Sequence, residues 1–267
     1  MRRPPSPSSL LLIGAILSLG CDKPLVDWSD PEPIAITVGN GPTRLVVDST
    51  GVARLVADTA AASIAPPPPA PGVCEHSLQT ARGTVHAYAG WWGVRPDSSA
   101  RLYIARSADG GRSWDGTVAV DTADVGSNGC DRPPPSLTTV GDDVYVAYSM
   151  IAPDGKGVFF AHIMGGMLHA PVAVIYGERM VRTAIAAQDP RVVVAYEDPN
   201  GSRQQIGVAL STTQGHLFDW RTTASRSIDH AENPAVALRG MELAVAWSPA
   251  QSSGDSTRRI VRVGRIQ

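Results

Sequence analysis

Cysteine is scarce in this chain. Cys21, Cys74 and Cys130 are the three present, and no C-x-x-C pair occurs, which excludes the common structural zinc modules. The six histidines, His76, His86, His162, His169, His216 and His230, form no close ligand pair along the sequence. No metal site and no cofactor are predicted. An excess of one charge is also lacking: a formal net charge of −2 and a pI near 6.3 give no general electrostatic drive toward nucleic acid. The apolar run Leu10 to Leu19 is too short for a bilayer span, which takes roughly 20 apolar residues. Long runs of helix-favouring residues are missing as well, whereas Gly (26) and Pro (22) are plentiful. Many turns and few helices predict an all-β chain. With 43% hydrophobic residues, 267 positions suffice for one full domain behind an export segment.

Residues 1–20 read as a signal peptide, with Arg2 and Arg3 ahead of the apolar run and small residues before Cys21. Ser18-Leu19-Gly20-Cys21 resembles a bacterial lipobox. That resemblance implies lipidation at Cys21, membrane attachment through the lipid, and a place in the bacterial cell envelope facing periplasm or exterior. An ordinary secretory signal is the alternative. Cys74 and Cys130 are then left to form one disulfide in an oxidising compartment or to remain two buried thiols. The bridge would close a loop of 56 residues.

Residues 21–33 are polar and proline-containing, as a tether requires, and residues 34–267 form the predicted domain. Ile34–Val38, Thr43–Val47 and Val52–Ala57 read as short strands between glycine-rich turns. The proline-rich stretch 65–71 then imposes an extended, stiff connector. Beyond it the chain repeats. An apolar-Ala-aromatic strand ending recurs as His86-Ala87-Tyr88, Val146-Ala147-Tyr148, Val194-Ala195-Tyr196 and Val245-Ala246-Trp247, with the aromatics 60, 48 and 51 residues apart. An apolar strand precedes each marker and another follows it, a pattern expected of propeller blades with a period of about 40–50 residues. Four repeats plus a partial N-terminal one predict four or five blades of four-stranded antiparallel meanders. Pairing of the N-terminal and C-terminal strands would close the ring and hide both edges.

The hairpin after the first repeat's third strand reads Ser107-Ala108-Asp109-Gly110-Gly111-Arg112-Ser113-Trp114. Gly supplies the positive φ of the turn, and the serine and aspartate oxygens satisfy nearby N–H groups. The positions Ser107, Asp109, Gly111, Ser113 and Trp114 resemble the Asp-box, or BNR repeat, of sialidases and related β-propellers. Two decayed copies follow. His162 to His169 aligns without gaps and keeps the glycine pair, while Ser211 to Trp220 keeps serine, glycine and tryptophan around a two-residue insertion.

Strand parity puts this hairpin on the face away from the crossover loops, so Asp109 is read as structural. The crossover face gathers the candidate ligand-binding residues His76, Trp91, Trp92, Arg95, His230 and Glu232, with Trp91-Trp92 as a stacking platform. The sialidase resemblance implies an arginine triad, a tyrosine nucleophile with a glutamate, and an aspartate acid/base. Arg132, Arg182, Arg203, Tyr196 and Glu197 are the positions that would carry it, although no aspartate is assigned and Tyr196 and Glu197 are adjacent. The sequence therefore favours non-catalytic recognition of a glycan or envelope protein. Exo-glycosidase activity on terminal sialic acid is the second reading and an envelope scaffold the third.

Overall fold

A computed structural model describes residues 25–34, 43–67, 72–249 and 259–267. Two short strands, Val26–Trp28 (β1) and Glu32–Ile34 (β2), precede a hairpin of Thr43–Val47 (β3) and Ala53–Ala57 (β4). A single helical turn, Thr59–Ala62 (α1), is capped by the Asp58 carboxylate, which accepts the Ala61 N–H at 3.0 Å. Four antiparallel sheets follow in order. The first holds Gln79–Arg82 (β5), Ala87–Val94 (β6), Ala100–Ser107 (β7) and Asp115–Asp121 (β8). The second holds Ser136–Val140 (β9), Asp143–Ala152 (β10), Gly155–Met164 (β11), Met167–Leu168 (β12) and Val172–Tyr176 (β13). Thr183–Gln188 (β14), Arg191–Glu197 (β15), Ile206–Ser211 (β16) and Trp220–Thr223 (β17) make the third. The fourth contains Ala231–Arg239 (β18), Glu242–Pro249 (β19) and Arg259–Ile266 (β20).

The recurring apolar-Ala-aromatic marker falls on the second strand of each sheet, and its burial explains the recurrence. Tyr88, Tyr148, Tyr196 and Trp247 are buried, and so are Ala87, Ala147, Ala195 and Ala246. Neighbouring residues on a strand point to opposite faces, so each second strand presents a large ring on one side and a methyl group on the other. Successive sheets share cores accordingly. One cluster joins the first and second sheets through Trp92, Leu102 and Tyr148. Others join the second to the third through Tyr145, Phe160 and Phe218, and the third to the fourth through Val208, Leu243 and Trp247. Leu45 and Leu55 of the β3–β4 hairpin pack on the fourth sheet.

The chain ends do pair, though earlier in the sequence than the pattern predicts. Val26 lies opposite Ile266 and Trp28 opposite Gly264, while Glu32–Ile34 runs beside Arg259–Val261. Of the expected strand Ile34–Val38, Ile34 is in β2, and the other positions lie outside the described residues. Part of the supposed tether is structural instead. Val26 is buried in the core between the third and fourth sheets, and Arg262 stacks over the Trp28 ring at 5.6 Å. Cys21 and the signal-like segment lie outside the described residues, as does most of the proline-rich stretch. Cys74 and Cys130 form a disulfide across a separation of 56 residues, a crosslink worth about 4 kcal/mol in the chain-entropy description.

Candidate functional site

The Ser107–Trp114 hairpin satisfies its own polar groups. Ser107 Oγ accepts the Gly111 N–H at 2.7 Å and donates to Asp109 Oδ1 at 2.8 Å. Asp109 in turn accepts the Ser113 N–H and hydroxyl at 2.8 and 2.7 Å. These bonds, with Ser113 first, hold the Asp109 carboxyl well below the usual aspartate range. Gly110 and Gly111 have φ of 77° and 96°, and a Cβ on Gly111 would meet the Ala65 carbonyl oxygen at 2.3 Å. Both glycine positions are therefore enforced, one by conformation and one also by contact.

The third sheet repeats this hairpin without the expected insertion. Ser211 Oγ accepts the N–H groups of Thr213 and Gly215 at 3.1 and 3.0 Å, and Thr213 Oγ1 accepts the Leu217 N–H at 3.1 Å. Thr213 thus does the work of Asp109, and Gln214 takes the positive φ of Gly110, at 58°. Counting from the serine, Phe218 fills the place of Trp114 and is buried, whereas Trp220 is 49% exposed on β17. Matching Trp220 to Trp114 keeps the residue type, whereas the hairpin keeps the spacing and puts Phe218 there.

At the other end of the strands, the β8–β9 and β13–β14 crossovers and the β10–β11 turn enclose an open depression of about 660 Å³. His76, Asp131, Lys156, Glu178, Arg179 and Arg182 stand exposed along it, and Arg132 reaches it from below. Strand parity had grouped these loops on one face. The floor is rigid and polar. Asp124 pairs with the Arg132 guanidinium at 3.1 Å and accepts the Ala100 N–H at 2.8 Å. Arg132 Nε donates to the Gly129 carbonyl at 2.7 Å, and the guanidinium lies 5.3 Å from the Trp92 ring centre. Cys130 anchors the same loop to Cys74.

Several expected contact residues are committed elsewhere. Trp91 and Trp92 lie inside β6 and are buried, with Trp92 Nε1 donating to the Pro133 carbonyl at 2.9 Å and Trp91 stacked on Tyr103. No stacking platform is offered there, because β6 runs longer than the sequence turn signals indicated. Arg95 donates to Ser99 Oγ and to the Asp124 carbonyl, at 2.5 and 2.7 Å. His230 is exposed and Glu232 half-buried at the fourth sheet, and neither lines this depression.

The five catalytic candidates divide among different surroundings. Arg132 and Arg182 line the depression together. Tyr196 instead borders a second cleft of about 240 Å³ with Asp198, Gln205 and Arg221, and burial pushes its hydroxyl up to about 12. Glu197 points the other way from Tyr196, as adjacent strand residues must. Its two oxygens accept the Arg182 and Asn233 N–H groups at 3.2 and 2.9 Å, tying the β13–β14 crossover to the start of β18. Arg203 is exposed in the β15–β16 loop and borders neither space.

Sequence spacing also missed a group of three histidines. His162, His169 and His216 each place a ring nitrogen within 4.8 Å of the others. His216 is distant from the other two along the chain, and the fold brings their two hairpins side by side. Asp124 was missed too, because an isolated aspartate in a loop gives no local sign of burial.

No known protein-family profile matches the chain, and no curated protein matches it. The fold likeness is to solved glycosidase-type structures. Trypanosoma rangeli sialidase in complex with 2,3-difluorosialic acid, a covalent intermediate, superposes with a TM-score of 0.50 at 14% identity, covering 86% of this chain and 40% of that one. A Dyadobacter fermentans protein of unknown function gives 0.43 at 13% identity, with 92% and 100% covered. A Bacteroides ovatus xyloglucan-locus protein, GH43B, gives 0.42 at 13%, with 72% and 38% covered. The chain spans about two fifths of the length of the sialidase it matches. At these identities the likeness is one of fold, and it supports a sialidase-like propeller architecture.

Proposed function

We propose that this chain is a small propeller of four blades and a compressed N-terminal one, closed by its terminal strands, that binds an acidic glycan through the crossover-loop depression without hydrolysing it. Cys21 carries the lipid that holds it at a bacterial envelope membrane. The observation that carries the reading is the contrast within one face. Lys156 and Arg182 stand exposed around an open depression beside Asp131, Glu178 and an Arg179 that donates to two backbone carbonyls, while Tyr196 and Glu197 are turned to other tasks. A nucleophilic tyrosine would have to ionise, and a hydroxyl pushed up to about 12 opposes that at neutral pH. With Trp91 and Trp92 buried, recognition rests on charge and hydrogen bonding rather than on sugar stacking.

A glycan array carrying sialylated, sulfated and neutral oligosaccharides tests this. Binding confined to acidic glycans and lost in Arg182→Ala is the expected result. Silence across the array would move the reading to an envelope protein partner or a scaffold. Hydrolysis of terminal sialic acid remains a second reading because Arg132 and Arg182 share the depression. Turnover of a fluorogenic sialoside by the wild type, absent in Arg182→Ala, would establish it in place of the binding reading.

A further inference from the structure

The three histidines come from two sheets. His162 lies near the end of β11, and the His169 N–H donates to its carbonyl at 3.0 Å, so the two rings face each other across the hairpin and stack at 4.4 Å. His216 follows Gly215 in the hairpin of the third sheet and sets its ring edge-on to both, at 4.9 and 5.3 Å. Tyr145 and Phe160 close the inner side of the His162 ring.

Two features separate this group from ordinary ring packing. His162 is 1% exposed, and neither of its ring nitrogens has a hydrogen-bond partner among the described residues. An imidazole buried in that state forgoes both its donor and its acceptor bond, which is costly unless something occupies the site. Independently, His216 Nδ1 lies 2.7 Å from the Thr213 carbonyl oxygen. Donation to that oxygen fixes the tautomer and leaves Nε2 with a free lone pair, the arrangement by which backbone carbonyls orient metal-binding histidines.

We propose that His162, His169 and His216 bind a divalent transition metal, zinc in the first instance, which clips the β11–β12 hairpin to the β16–β17 hairpin. Three neutral imidazoles suit zinc, nickel or copper and leave a fourth tetrahedral position for water. Asp143, whose carboxylate accepts the Gly165 N–H at 2.8 Å, adds a negative charge near His162 that favours a cation. Bonds of about 2.0–2.1 Å to zinc set the ligand nitrogens roughly 3.3 Å apart. The nitrogens lie within 4.8 Å of one another, so binding would draw the exposed His216 ring and the half-buried His169 ring inward.

The test is a calorimetric zinc titration of the full chain purified without a histidine tag, together with cobalt substitution read by visible absorption. One zinc per chain and the intense visible bands of tetrahedral cobalt are expected. His216→Ala removes a ligand from an exposed position, so the fold should persist by circular dichroism while affinity falls by more than about 100-fold. His169→Gln should act in the same direction, and zinc should raise the melting temperature of the wild type but not of His216→Ala. Absence of saturable uptake at sub-millimolar zinc would overturn the proposal. So would undiminished binding in His216→Ala.

Discussion

Arg132 and Asp124 meet at 3.1 Å with side chains only 0% and 1% exposed, beneath the depression on the crossover face. A buried pair of this kind adds little over an apolar replacement of both partners, but removal of one partner strands the other charge. Arg132 also holds the Gly129 carbonyl and packs on Trp92. Arg132→Ala should therefore destabilise the fold by about 3–5 kcal/mol, read from urea denaturation. A loss under about 1 kcal/mol would show that the pair does not brace the floor, since that is the ordinary range for exposed pairs. The same measurement guards any ligand-binding assay, because a variant at Arg132 that loses binding has first to be shown folded.

Phe218 and Trp220 give opposite predictions. If the third hairpin follows the spacing of the first, Phe218 is the buried foot and Trp220 a surface residue. Phe218→Ala should then cost about 3–5 kcal/mol, and Trp220→Ala should stay within about 0.5 kcal/mol. The reverse order would restore the inserted alignment. Thermal melts of the two variants side by side decide it.

That hairpin also shows how far the sequence was readable. The four second strands were legible because their alanine and aromatic are both fixed by packing, on opposite faces of one strand. Strand parity likewise grouped the loops that border the depression, since parity depends on topology alone. What failed was anything set by strand length or by contact between distant hairpins. Six more residues of β6, from Ala89 to Val94, moved Trp91 and Trp92 from a loop into the core. Val26 and Trp28 lay in a stretch too polar on average to suggest a strand, yet two apolar side chains were enough to pair with β20. His162 and His216 sit 54 positions apart in the chain, and only the packing of neighbouring sheets joins them.

Asp109 makes a pH-dependent contribution whose sign follows from its bonds. Its folded pKa is depressed, chiefly by the Ser113 N–H and hydroxyl and then by Ser107. The carboxylate's stabilisation is thus present above the usual aspartate value of about 3.9 and fades as pH falls below it toward the folded value. Asp109→Asn should be less stable than the wild type at pH 7, and the gap should narrow in acid. Denaturant midpoints at neutral and acid pH provide the check. A gap that does not change with pH would mean that the hairpin depends on the shape of this side chain rather than on its charge.

Cys21 tests the proposed envelope anchor separately from everything on the folded domain. Labelling of the chain by an alkyne palmitate analogue in a bacterial host should be strong in the wild type and absent in Cys21→Ala. Cys74 and Cys130 are bonded to each other, so neither competes for the acyl group. Absence of label from the wild type would leave an ordinary secretory signal, and label that persists in Cys21→Ala would overturn lipidation at Cys21.

Arg182 carries the last prediction, because it distinguishes charge-based recognition from mere exposure. It stands exposed on the depression, its own N–H held by the Glu197 carboxylate at 3.2 Å, so the backbone that presents it is fixed. A guanidinium bonding a glycan carboxylate or sulfate contributes about 1.5–3 kcal/mol, so Arg182→Ala should weaken binding by at least about tenfold. Arg182→Lys keeps the charge but loses the bidentate fork, and should fall between the two. Affinity should also drop as salt rises from 50 to 300 mM, roughly the range over which charge screening tightens. Surface plasmon resonance on an immobilised sialylated or sulfated glycan measures all three. Equal affinities for wild type, alanine and lysine forms would mean that the ligand sits elsewhere on the molecule, and the search would pass to the Tyr196 cleft, where Arg221 and Asp198 offer the next set of charged groups.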